Sequence, residues 1–323
     1  VTGSLRSVAR WVARQDDGVI LELVCAEHPA PALGDPARTV VRAATCLAEV
    51  PAHEILELFT AGAQTVVVRR DECAQPHTAN ALLDAAAQVL ASTGVDRLHL
   101  SGPEQTAPEQ TGERRTLLGR RRPRAPRQSR REVLDAERMP VPRRQVLGLG
   151  AGSARGLADE YAPDAQRLTT ALAALLPPSA SLPDLLSPAV QLRGKGCTAC
   201  GVCVRACPAD ALTLRHLGGS GDEANAALLM TTLVQDPTRC DGCLACVQIC
   251  PEDVLTAQGR WGWDAVLARV ATPAPAPVAS LSTAQCQRCR TRFPTTGAGT
   301  LCPVCAYRRA NPFSSRLPVD IRP

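Results

Sequence analysis

Two stretches, CTACGVCVRACP at residues 197–208 and CDGCLACVQICP at 240–251, carry the same C-x2-C-x2-C-x3-C-P spacing. No other feature constrains the fold as strongly, because thiols this close in sequence must converge on common centres. Such density means either disulfides or metal. The opening stretch, VTGSLRSVARWVARQDD, has no apolar core of an export signal, so a cytoplasmic location is expected, where thiols stay reduced. Metal ligation is therefore the expectation. Of the 15 cysteines, twelve follow residue 196, and only Cys25, Cys46 and Cys73 precede it.

An internal repeat with a proline closing each half is a specific signal. It resembles the bacterial two-cluster [4Fe–4S] ferredoxins over residues 190–258. Three cysteines at two-residue gaps wrap one corner of a cubane. In this motif the fourth, which opens the next element, ligates the other cluster. The resemblance thus implies one cluster on Cys197, Cys200, Cys203 and Cys250, and a second on Cys240, Cys243, Cys246 and Cys207. Small residues between the ligands (Thr198, Ala199, Gly201, Asp241, Gly242, Ala245) let backbone N–H groups approach the sulfurs. Flanking runs VQLRGKG, ALTLRH, LVQD and VLTAQG read as strands, giving a pseudo-twofold (βαβ)2 arrangement. Two structural zinc sites are the competing reading, and they do not account for the paired prolines. The insert HLGGSGDEANAALLMTTLVQDPTR reads either as a docking loop or as a tolerated hairpin.

At the far end, CQRCRTRFPTTGAGTLCPVC places Cys286, Cys289, Cys302 and Cys305 in a C-x2-C-x12-C-x2-C pattern. Two such knuckles close a tetrahedral S4 site. The segment, residues 283–310, looks like a zinc ribbon. A rubredoxin-type iron is the alternative, although Arg290 and Ala306 stand where rubredoxins usually carry glycine.

Residues 18–102 alternate apolar, β-branched runs (VILELVC, TVVRAATC, QTVVVRRD, DRLHLSG) with helical spacing in AHEILELFTAGA and TANALLDAAAQVLASTG. Thr78 is the expected cap of the second helix and Gly94 its stop. The β-β-α-β-α-β order argues for a small, mostly parallel α/β sheet. This stretch is similar to the delta-type iron–sulfur subunit of viologen-reducing hydrogenases. The resemblance rests on a cysteine after a strand, a helix with a phenylalanine before a Gly-Ala step, an apolar strand and a further cysteine. It implies electron transfer to heterodisulfide reductase-type partners. The family's [2Fe–2S] cluster would fall here to Cys25, His28, Cys46 and Cys73, with Asp71 and His77 nearby. The alternative is a docking module that has lost its cluster, since a cysteine at a strand end commonly packs as a small hydrophobe.

Between these regions, residues 103–189 read as an arginine- and proline-rich linker carrying one helix, YAPDAQRLTTALAALL, stopped by Pro177 and Pro178. PRRQVLGLG mimics a twin-arginine signal but lies mid-chain, and would matter only if translation began at Met139. Gly150, Gly152 and Gly156 miss the dinucleotide-binding fingerprint by one residue. Residues 271–280 read as a second, proline-rich tether. The expected architecture is therefore α+β and multi-domain: a small parallel α/β domain, a ferredoxin-like two-cluster domain and a zinc ribbon.

Net charge is +5, but nearly every basic residue is arginine, Lys195 being the one lysine, a bias of codon composition rather than of phosphate binding. Nucleic acid is accordingly disfavoured as a partner, and no apolar run reaches membrane-spanning length. No nucleophile elbow, phosphate loop or flavin site is present. The expected function is a non-catalytic electron-transfer subunit passing single electrons between a redox enzyme and another carrier. A hydrogenase, a formate dehydrogenase or a heterodisulfide reductase-like complex would be the enzyme. The rival is a nucleic-acid-binding or assembly factor using the ribbon and the arginine-rich linker, with structural or redox-sensing clusters. A cluster-delivery protein is a third class, and cross-ligated cubanes argue against it.

Overall fold

The computed structural model describes residues 5–15, 18–71, 81–101, 131–140, 159, 161–177, 180–182, 185–218, 228–295 and 299–313. The chain divides into two units, residues 1–160 with 170–181 and residues 161–169 with 182–323. No helix among the described residues is long and apolar enough to cross a membrane.

The first unit contains helix α1 (Arg6–Val12), strands β1 (Val19–Val24) and β2 (Thr39–Arg42), helix α2 (Ala52–Thr60), strand β3 (Ala63–Arg69), helix α3 (Ala81–Ser92) and strands β4 (Leu98–Ser101) and β5 (Val133–Asp135). All five strands are parallel, in the order β4-β3-β1-β2-β5. Runs such as Val66–Val68 and Leu21–Val24 can form such strands because β-branched and apolar residues suit a sheet covered on both faces. Leu21, Leu23, Val40, Val41 and Val66 are fully buried, and α2 contributes Ile55, Leu56 and Leu58 to the same core. Gly94, at φ +76°, ends α3 with the left-handed turn that glycine adopts without strain.

Two expectations for this unit change. Helix α1 precedes the expected boundary at residue 18, and β5 comes from the stretch expected as linker. Val133 and Leu134 pair alongside Val40 and Val41, lengthening the sheet at the β2 edge. The reason is electrostatic as well as apolar. Glu22 on β1 is only 2% exposed. It accepts hydrogen bonds from Arg131 (3.0 and 3.1 Å) and from Arg69 (3.2 Å). A carboxylate buried this deeply is tolerable only when paired, so Arg131 ties the segment before β5 to the sheet.

The boundary between the units falls inside helix α4 (Asp164–Leu175), which ends just before the double proline as expected. The second unit then runs β6 (Leu186–Gly194), α5 (Val202–Ala206), β7 (Leu212–Gly218), β8 (Leu228–Gln235), α6 (Ala245–Gln248), β9 (Leu255–Gly262), α7 (Trp263–Ala271), β10 (Ala276–Gln285), β11 (Arg292–Pro294) and α8 (Pro303–Ala310). Each cysteine repeat forms a β-α-β half, β6-α5-β7 and β8-α6-β9. The halves interlock through antiparallel pairs, β6 with β9 and β7 with β8. Gln235, almost fully buried, donates to the Val190 carbonyl at 2.8 Å and joins the two pairs. Strands β6 and β9 extend beyond the expected limits of 190 and 258, and helix α7 was not expected.

The second tether also differs from expectation. From Ala276 the chain is strand β10, paired antiparallel with β8 over most of its length and with β11 at its end, in the sheet β11-β10-β8-β7. Pro277 has no N–H for the ladder, and the register shifts between Pro277 and Ala279 to accommodate it. Thr231 of β8 and Thr283 of β10, both wholly buried, share a 2.6 Å hydrogen bond across the pair. The tail is thus continuous with the sheet of the cysteine repeats. Thr78, the glycines at 150–156 and residues 219–227 of the insert between the repeats lie outside the described residues.

Candidate metal centres

The repeat is written into the backbone as well as the spacing. Counting from the first cysteine of each run, the third and fifth positions adopt left-handed conformations in both halves. They are Ala199 (φ 55°) and Gly201 (φ 73°) in one, and Gly242 (φ 79°) and Leu244 (φ 62°) in the other. Three residues after the last cysteine of each run, Asp210 and Asp253 are left-handed too, at φ 48° and 50°. Such conformations are strained for residues other than glycine, so their recurrence at equivalent places marks a shape the thiols require. At Gly242 a Cβ would lie 2.3 Å from the Pro188 carbonyl oxygen, so only glycine fits.

The fourth cysteine of each run sits with the opposite run. A cavity is lined by Cys197, Cys200, Cys203 and Cys250, together with Leu214 and Leu233. Burial raises the Cys203 thiol to about 11, and the neighbouring Cys197, Cys200 and Cys250 add to the rise. Burial likewise raises Cys246 to about 12, with Cys207, Cys240 and Cys243 among its neighbours. Four thiols gathered this way resist ionising together unless a cation sits among them. At Cys197 the Ala199 N–H, donating to Sγ at 3.4 Å, works in the opposite direction; Ala211 N–H likewise donates to Cys207 Sγ at 3.3 Å. Cys203 and Cys246 belong to the apolar core with Val190, Leu192, Leu212, Leu233 and Leu255. The donor set, its gathering and its amide bonds fit a pair of iron–sulfur clusters.

The tail site has a different size. Cys286, Cys289, Cys302 and Cys305 offer sulfurs all within 4.8 Å of one another, the only group of three or more such donors so tight among the described residues. A tetrahedral site with metal–sulfur bonds of about 2.3 Å has edges of about 3.8 Å, and Cys289 Sγ stands 3.7 Å from Cys302 Sγ. This is the spacing of a single ion; the thiols of the repeats are spread more widely, as multi-iron clusters demand. Amides of Cys289, Cys302 and Arg288 hold the Cys286 thiol below the usual range, whereas burial pushes Cys305 above it. Three of the four cysteines pack with Ala284 and Phe293 in a small core of their own.

In the first unit, Cys25 follows β1 and Cys46 follows β2, and their sulfurs lie 4.0 Å apart. Cys73 and His77 lie outside the described residues. His28, expected as a further ligand, has both ring nitrogens engaged. Nδ1 accepts from Ala30 N–H at 3.1 Å, and Nε2 lies 3.2 Å from Asp71 and 3.0 Å from Arg69. Hydrogen bonds from Arg69 hold the Asp71 carboxyl at about 2. Sequence reading singled out His28 and Asp71 beside the expected cluster but missed their ion-pair partners, because Glu22, Arg69 and Arg131 are ordinary charged residues until the sheet brings them together.

Residues 196–254 match the family model described as a 4Fe-4S dicluster domain. Comparison of the whole chain with curated proteins found no match. The matched span ends short of the tail site and begins after the first unit. The second unit therefore carries an iron–sulfur domain of the dicluster type, and the tail cysteines fit a further metal site.

Proposed function

We propose that this chain relays single electrons between a redox enzyme and a second carrier, using two [4Fe–4S] clusters. One cluster is assigned to Cys197, Cys200, Cys203 and Cys250, the other to Cys240, Cys243, Cys246 and Cys207. The observation that carries the reading is the exchange of the fourth cysteine between repeats, within a span matched to a dicluster domain. A bound cubane supplies one-electron transfer at a potential tuned by charge, hydrogen bonds and solvent. The protein's share is to hold the thiols, direct Ala199 and Ala211 amides at sulfur, and surround the site with leucines. Zinc is the ion proposed for the tail, with a docking or structural role. The first unit is read as a docking module resembling the hydrogenase delta subunit without its two-iron cluster. A hydrogenase, formate dehydrogenase or heterodisulfide reductase-like complex is the proposed partner class. Reductive titration under anaerobic conditions tests this: uptake of about two electrons per chain, with the spectra of reduced cubanes, is expected. A chain that takes up none is not a relay.

One observation favours a second reading. Arg288, Arg290, Arg308 and Arg309 are exposed around the tail site, and no Asp or Glu occurs from residue 265 to 319. If the tail binds nucleic acid, affinity will fall steeply with salt as counterions are released. The relay reading expects weak binding or none, and filter binding at two salt concentrations decides between them.

A further inference from the structure

Cys25 and Cys46 belong to neither cysteine repeat, yet the fold brings them together from positions 21 residues apart. The neighbouring parallel strands β1 and β2 carry them out on the same edge of the sheet. Beyond the strands, Ala43 N–H still donates to the Val24 carbonyl at 2.9 Å, and Ala26 N–H to the Thr45 carbonyl at 3.4 Å. These bonds lay the Cys25 and Cys46 segments side by side. The sulfurs are 4.0 Å apart, so closing a bond of about 2.05 Å requires them to approach by about 2 Å, within reach of side-chain rotation. The setting is one where α/β sheets do chemistry: β2 lies on one side of β1 and β3 on the other, and ligands of such sheets bind beyond the carboxyl ends of strands at the point of reversal.

We propose that Cys25 and Cys46 are a redox-active dithiol that closes to a disulfide when it meets a small-molecule disulfide. The two sulfurs have unequal roles. Cys46 is half-buried and reachable, whereas Cys25 is 7% exposed and accepts a hydrogen bond from Leu47 N–H at 3.4 Å. The Cys46 thiolate attacks one sulfur of the oxidant, forming a mixed disulfide and releasing the first thiol. The Cys25 thiolate then attacks Cys46 Sγ, forming the Cys25–Cys46 bond and releasing the second. Two electrons pass from the protein's thiols to the oxidant, and the two thiol protons leave on the released molecules. The first unit would then handle electrons in pairs, whether or not the repeats hold clusters.

The test uses the full chain purified anaerobically with its metals. It is exposed to oxidised glutathione, its remaining thiols are alkylated, and its peptides are mapped. The expected product is a linked pair of peptides carrying Cys25 and Cys46, lost on treatment with a reductant. In Cys25→Ser, glutathione should remain attached to Cys46, because the resolving thiol is gone. In Cys46→Ser, Cys25 should stay unmodified. Absence of the linked peptide would overturn the proposal, as would a Cys46–Cys73 bond in its place or iron bound to these two thiols. Failure of the electron-relay reading would show separately, as reactive thiols throughout the repeats.

Discussion

The two units solve the problem of making a core in opposite ways. In the first, Leu21, Leu23, Val40, Ile55, Val66 and Leu83 are buried between sheet and helices, and burial of hydrocarbon suffices to define the fold. In the second, the proposed ligands are themselves core residues. Cys203 and Cys246 sit among Val190, Leu212, Leu233 and Leu255, and Cys286, Cys302 and Cys305 form most of the core beneath the tail. Helices α5 and α6 span 5 and 4 residues, too short to persist in isolation. Where metal ligands replace apolar side chains, fold and cofactor become one thermodynamic object. With aromatics at 2% of the chain, few large side chains remain to substitute for the metal.

The largest expected effect follows from that contrast. Removing metal with a chelator under mild acid should collapse the second unit and leave the first folded. Hydrogen exchange read by peptide would show amides of β6–β9 and β10 losing protection while those of β1 and β3 keep it. Equal loss in both units would break the comparison.

A smaller effect separates two glycines of the repeats. Gly242→Ala places a methyl 2.3 Å from the Pro188 backbone oxygen, in addition to about 1–2 kcal/mol for the left-handed conformation. Gly201→Ala meets only the mobile ends of Arg205 and Leu214, at 3.3 and 3.5 Å, and should cost the conformational part alone. Thermal unfolding followed by cluster absorbance should therefore show a lower transition for Gly242→Ala. The equivalent places in the other half carry Ala199 and Leu244, so a strict glycine requirement at both sites would contradict this account.

The smallest effect probes the strand that joins the tail to the repeats. Thr283→Val removes one partner of the buried 2.6 Å bond to Thr231, and because Thr231 keeps its 2.8 Å bond with His216, the cost is about 0.5–1.5 kcal/mol. If β10 were a loose tether, denaturant unfolding of the second unit would not register the change.

Much of this was legible in the residues. The identical spacing of the two runs announced paired centres, and the alternation of strand and helix patterns announced an α/β sheet. What stayed hidden has physical causes. The prolines of ATPAPAPVAS speak for a tether, and the register shift at Pro277 that lets β10 pair is invisible until β8 is beside it. The left-handed positions could not be read where Ala199 and Leu244 occupy them, because neither residue advertises that conformation. His28 stood at ligand spacing from Cys25, but its bonds to Ala30, Asp71 and Arg69 exist only once β1 and β3 lie side by side.

The central claim is that the second unit is built around two cubanes and one further ion. Counting iron, acid-labile sulfide and zinc per chain after anaerobic purification tests it most directly. The account predicts about eight iron, eight sulfide and one zinc. Zinc without sulfide would contradict it, leaving the repeats as structural zinc sites with no cubane to carry single electrons.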